Sequence, residues 1–183
     1  MTYDPASHPA GRLLLTPEDK DAPARTRRLR LLGLGERPEP ALDGYADRLA
    51  QRTEAPYAVV NFIDERGQFF AGLHTPPRPH RARQERDRRL ARDHGFCPHV
   101  VVRGKALVLE DVRDYPRFAC NPAVDGFGVH AYLGAPLIDS TGMVLGTVAV
   151  GDLRPRPWGT AGLATIKASA AELVARLETD SLI

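Results

Sequence analysis

The sequence predicts one α+β domain: an antiparallel sheet with N- and C-terminal helices on one face and a long irregular crossing on the other. Three observations carry the prediction. A helical apolar stripe stands near each end, two strand–turn–strand signatures stand between them, and Thr75 to His130 is far longer than an ordinary loop. With 183 residues, 43% of them hydrophobic, the chain can bury one core and is short for two.

Residues 1 to 24 mix Pro, Ala, Asp and Ser without apolar periodicity and read as a flexible arm, so order is expected from about Thr26. Leu29, Leu31, Leu32 and Leu34 suit a short helix that docks on the domain or on a second copy. After Pro38 and Pro40, Leu42, Tyr45, Ala46 and Leu49 fall at i, i+3, i+4 and i+7, one buried stripe of a helix that should stop before Pro56. Tyr57–Asp64 is rich in β-branched and aromatic residues, and Glu65-Arg66-Gly67 closes a tight turn into Gln68–Leu73. An apolar turn around Phe96 and a strand at Ala106–Leu109 follow. Asp139-Ser-Thr-Gly142 is a turn between strands Ala131–Ile138 and Met143–Val150. Leu163, Ile166, Ala170, Leu173, Val174 and Leu177 keep helical spacing to the end.

Charge excludes several classes of function. Lys and Arg total 25 against 23 acidic residues, which gives no overall case for nucleic acid or an anionic membrane. Residues 75–93 hold Arg78, Arg81, Arg83, Arg86, Arg88, Arg89 and Arg92 against Glu85, Asp87 and Asp93, a local net of +4. Clustered guanidiniums bind phosphate, but this stretch lacks interleaved aromatics and carries Pro76, Pro77 and Pro79, so a solvated mobile loop is expected. Lysine occurs only at 20, 105 and 167, a bias of a GC-rich bacterial genome rather than of a function. Nothing approaches the roughly 20 apolar residues of a membrane span, and Met1 to Thr16 lack the regions of a signal peptide. A cytoplasmic location is therefore expected. Cys97 and Cys120 are too few for a disulfide scaffold and too far apart for a CxxC motif.

Several runs resemble bacterial GAF domains, in family order across about residues 26–178. They are Arg30-Leu-Leu-Gly-Leu34 leading to Pro38–Asp43, Ala55–Asp64 with Gln68-Phe-Phe70, Gly95-Phe-Cys-Pro-His99, Leu107–Val112, Pro116–Pro122, Tyr132–Leu137 and Gly142–Val148. The resemblance implies a GAF (PAS-like) fold with a loop-roofed pocket, framed by an arm at 1–25, the Arg/Pro-rich loop 75–93 within the domain, and a tail at 179–183. It also implies a signalling module for a small molecule or redox input, because such domains include sites for cyclic nucleotides, haem, bilins and metabolites; the fold does not choose among them. No kinase, cyclase or DNA-binding segment accompanies the domain in this sequence, so a partner protein or a homodimer is the expected output, with no membrane or nucleic acid.

The expected ligand pocket is lined by Phe62, Phe96, Cys97, His99, Phe118, Cys120, Asn121, His130 and Tyr132, with cofactor and ligand identity open. Cys97 and His99 form a CxH pair, weak for a metal because zinc sites need three or four protein ligands; packing of Phe96 and Cys97, with His99 facing solvent or capping a helix, is the plainer reading. Cys120 is read as packing or as a redox partner of Cys97, which requires Cα atoms within about 7 Å. An enzymatic reading stands beside these: Gly95-Phe-Cys97 with Asp111–Cys120 resembles two cysteine motifs of free methionine-R-sulfoxide reductase, in which a thiolate attacks the sulfoxide. The third cysteine of that family is missing, and Tyr132, Ala149 and Gly151 stand where its substrate carboxylates fall. Haem through His99 or His130, or a bilin on Cys120 with Asn121 in place of the family's His, are lesser readings.

Overall fold

A computed structural model describes residues 16–76 and 88–180. The first fifteen residues, 77–87 and the last three lie outside the described residues, and with them the expectations for Arg78, Arg81, Arg83 and Arg86. Six strands, β1 Tyr57–Ile63, β2 Gln68–His74, β3 Arg89–Leu90, β4 Leu107–Leu109, β5 Ala131–Ile138 and β6 Val144–Asp152, form one sheet in the order β3-β2-β1-β6-β5-β4. Every pairing is antiparallel. Both predicted hairpins are present. In the first, the Asp64 carboxylate accepts the amides of Arg66 and Gly67 at 2.7 and 2.9 Å, which fixes the turn that Gly67 ends.

Helices α1 Ala22–Leu31, α2 Pro40–Thr53 and the C-terminal α6 Gly159–Asp180 cover one face of this sheet. The α2 stripe Leu42, Tyr45, Ala46, Leu49 is buried as its spacing predicts, against Val60, Phe62, Leu133, Val148 and the Ile166, Leu173 and Leu177 stripe of α6. Each such large side chain contributes about 1.5–3 kcal/mol on burial. Tyr45 Oη donates to the Ser169 carbonyl at 2.6 Å and ties the two helices together. Gly72 lets α2 lie close on β2, since a Cβ there would stand 2.3 Å from the Leu42 carbonyl oxygen.

Order begins earlier than Thr26. Helix α1 starts at Ala22 and buries Arg25, whose Nε donates to the Ile63 carbonyl at 2.7 Å and whose guanidinium pairs with Asp19. Asp19 also accepts from Arg92 at 2.6 Å. Apolar periodicity cannot reveal such a helix, because one of the groups it buries is a paired cation.

The second face corrects the expectation of an irregular crossing. Three short helices, α3 Cys97–Arg103, α4 Pro116–Ala119 and α5 Pro122–Phe127, roof the sheet, with β4 and a 3-10 turn at Val112–Asp114 between them. Each helix has a proline at its first or second position, Pro98, Pro116 or Pro122, whose fixed φ suits the first turn. They are too short to display a period. The end of the arginine-rich loop is likewise held against the domain. Arg88 grips Asp43 through two contacts of 2.9 Å, Arg89 stacks 4.8 Å from the Phe69 ring centroid, and Arg92 donates to the Asp64 carbonyl at 2.7 Å.

Candidate functional site in the roof

The roof-side core begins at β5. Tyr132 points toward the roof, and its ring runs over Gly134, where a Cβ would lie 2.2 Å from the Tyr132 hydroxyl. Gly151 and Ala149, the partners of Tyr132 and Gly134 on β6, are small, which leaves the floor shallow enough for the ring. The hydroxyl ends 3.3 Å from the Cys97 sulfur on α3. Burial drives the Tyr132 pKa well above 10, with the nearby Cys97 acting in the same direction, so this is a neutral phenol beside a buried sulfur.

Phe96 packs on Tyr132 at 5.1 Å between ring centroids and meets Phe118 edge-on at 5.8 Å. His99 stands edge-on to the same Phe118 at 4.9 Å, with the Arg117 guanidinium 5.9 Å from that ring. His99 is 1% exposed, and neither ring nitrogen has a hydrogen-bond partner. This differs from the solvent-facing or capping role expected of it. Burial first, then the positive charges of Arg117 and Arg103, lower its pKa to about 4, so the imidazole is neutral at pH 7. It offers one donor and one acceptor inside an apolar wall, and an unmet polar group in such a place costs about 1–3 kcal/mol.

Asn121 holds the roof together. Its amide exchanges hydrogen bonds of 2.9 and 2.8 Å with the N–H and carbonyl of Gly95, and its Oδ1 accepts the Ala123 amide to cap α5. Thus Phe96, Cys97, His99, Phe118 and Tyr132 pack in one cluster, with Asn121 as their bracket. The other three do not join them. Phe62 belongs to the helix-side core, His130 sits half-buried at the entry to β5 with an unpartnered Nδ1, and Cys120 is exposed at the end of α4. A cleft of about 640 Å³ lies away from this cluster, beside α6.

Sequence reasoning missed two buried polar groups of the sheet. Asn61 and Thr147, opposite each other on β1 and β6, keep an unpartnered Oδ1 and Oγ1, while Asn61 Nδ2 donates to Gln68 at 2.9 Å and Gln68 donates on to the carbonyls of Ala91 and His94. It also missed Trp158, buried with Nε1 on the Leu109 carbonyl at 3.2 Å and the Arg156 guanidinium 5.0 Å from its ring. A single buried polar residue in an apolar strand, or one Trp in a loop, carries no periodic signal. Among the described residues no three His, Cys, Asp or Glu side chains are grouped to hold a metal, and no helix is long and apolar enough to cross a membrane.

An antiparallel sheet with helices on one face and a roof of short helices on the other defines a GAF-fold domain. The GAF domain model matches residues 37–177, and the chain belongs to that family. It is 30% identical over 169 residues to a cyclic di-GMP phosphodiesterase of Pseudomonas aeruginosa, covering 89% of this chain and 27% of that protein, so the chain spans about a quarter of that relative's length. Among solved structures, the PixJ GAF domain of Thermosynechococcus elongatus superposes with a TM-score of 0.62 at 13% identity, covering 89% of this chain and 90% of that one. The GAF domain of an Acinetobacter phosphoenolpyruvate-protein phosphotransferase gives 0.59 at 14%, covering 89% and 96%. Free methionine-R-sulfoxide reductase of Neisseria meningitidis gives 0.59 at 15%, covering 90% and 93%. At these identities the likeness is one of fold.

Proposed function

We propose that this GAF domain is a non-enzymatic sensor that receives a small molecule or a redox input in the roof and passes it to a partner protein or a second copy. One observation carries the reading: His99, buried edge-on to Phe118, has two ring nitrogens and no partner for either. A ligand with a complementary donor and acceptor, entering as Phe118 and α4 move aside, satisfies both. The match to a quarter-length stretch of a cyclic di-GMP phosphodiesterase supports a module that serves signalling proteins. The enzymatic alternative is disfavoured by the floor: Tyr132, Ala149 and Gly151 are neighbours on β5 and β6 and present no carboxylate to an amino-acid ammonium.

Native mass spectrometry of freshly purified protein, with its absorption spectrum, tests the proposal for haem, bilin, metal or metabolite together. The expected result is a retained small mass that is lost in His99→Leu. A mass that persists in His99→Leu and Tyr132→Phe places the ligand elsewhere. If none is retained and no metabolite in a thermal-shift panel acts through His99, the roof is a packed core and the sensor reading fails.

A further inference from the structure

We propose that the groove between α6 and the β4–β5 edge is a second binding site, for a small amphipathic anion: a carboxylate or sulfonate on an alkyl or aryl body. The open groove has a volume of about 640 Å³, within the roughly 300–1,000 Å³ of small-molecule sites. It stays open because the helix side offers Ala170 and Ala171, the sheet floor offers Ala135, and β4 is only three residues long. Its apolar wall includes Leu163, Val174 and Ile138, the last 43% exposed.

The charge at its rim selects the ligand. Of 25 basic residues three are lysines, and two of the three, Lys105 and Lys167, line this groove. Among the described residues neither makes an ion pair, whereas several arginines of the molecule are spent on carboxylates or carbonyls. An ammonium on a flexible apolar stem can lie along the wall and still reach a carboxylate at the mouth. A second copy of α6 is a poorer occupant. Its Glu172 is shared between Arg52 and Arg176, and its Glu178 accepts the Ser140 amide, so those carboxylates are not free to meet the lysines. This site is separate from the roof and does not depend on the reading given for it.

Calorimetric titration with octanoate, and with octanol as the neutral analogue of equal length, tests the assignment on the full chain. One octanoate per chain is expected to bind saturably, with octanol weaker. Replacing both lysines (Lys105→Gln with Lys167→Gln) should weaken octanoate about tenfold, the loss of two partly exposed ionic contacts, without changing octanol. Ala171→Trp, at an exposed position, should fill the groove and abolish both while leaving the melting temperature near wild type. The proposal is overturned by absent binding, by octanol matching octanoate, by affinity unchanged in the lysine variant or in Ala171→Trp, or by a dimer in sedimentation that Ala171→Trp dissociates.

Discussion

Tyr132 lies across Gly134, two residues along the same strand, and so brings its hydroxyl to within 3.3 Å of Cys97. A methyl group at 134 would stand 2.2 Å from that oxygen and 2.7 Å from the ring carbon that bears it. Gly134→Ala is therefore expected to displace the ring and cost about 1–3 kcal/mol, the usual penalty for overpacking. Tyr132→Phe, which keeps the ring and removes only the hydrogen bond, should cost about 1 kcal/mol. Urea unfolding of both variants measures the difference; equal and negligible losses would show that the ring has room to move.

Stability should fall in mild acid because of His99. An unfolded histidine titrates near 6.5, whereas burial and two neighbouring guanidiniums bring this one to about 4. Between those values the unfolded chain holds a proton that the native one excludes. Its contribution is thus intact above about pH 6.5, declines as pH drops through the window, and is fully lost below about 4, up to about 3 kcal/mol. Urea midpoints at pH 7, 5.5 and 4.5 should show this decline in wild type and a flatter profile in His99→Leu. Parallel profiles would assign the acid sensitivity to other groups.

Asp19 holds two arginines, one of them almost fully buried. Asp19→Asn leaves the Arg25 guanidinium inside the domain without its counter-ion, a change that costs about 3–5 kcal/mol at buried pairs. Arg25→Met, which removes the charge and keeps much of the volume, should be milder. Thermal melts of the two variants check the order, and a harmless Asp19→Asn would mean that the Ile63 carbonyl alone suffices for Arg25.

The homodimer expected of a sensor must use other residues than the apolar stripe of α6. Leu173 and Leu177 are buried in their own domain, so a charge there tests folding rather than association. On α1 the situation is reversed: Leu29 is buried, but Leu31 is 80% exposed. If α1 forms the interface, ultracentrifugation should show a species of twice the chain mass that Leu31→Glu dissociates. A monomer at micromolar concentration removes the proposal.

The sequence made the helix-covered half of the domain legible, because Leu42, Tyr45, Ala46 and Leu49 and the α6 stripe obey a single period over several turns. Strands β1, β2, β5 and β6 were legible through their turns. The roof was not: four- to seven-residue helices show no period, and their start signals, Pro98, Pro116 and Pro122, read equally well as loop punctuation. Within the site, aromatic and thiol residues drew attention by type, which found Phe96, Cys97, Phe118 and Tyr132. Type alone could not say which face of β1 carries Phe62. Strict alternation along β1 sets Phe62 with Ala58 and Val60 on the helix side, opposite Val59 and Ile63. Nor could it distinguish Asn121 as a bracket of Gly95 from Asn121 as a ligand contact.

The two thiols should react at very different rates, and the slower one reports on the roof. Cys120 is exposed and Cys97 is buried with its sulfur against the Tyr132 hydroxyl. A thiol reagent such as dithionitrobenzoate should label one cysteine quickly in the native protein and both after denaturation, with Cys120→Ser removing the fast phase. Cys97 can react only when the roof opens, so its rate measures that opening; a ligand that closes on His99 should slow it further. Mild peroxide should likewise leave a Cys97–Cys120 disulfide scarce in the native fold, because the sulfurs face different surroundings. Rapid, quantitative formation of that disulfide, with turnover of free methionine sulfoxide that Cys120→Ser abolishes, would make this domain an oxidoreductase instead of a sensor.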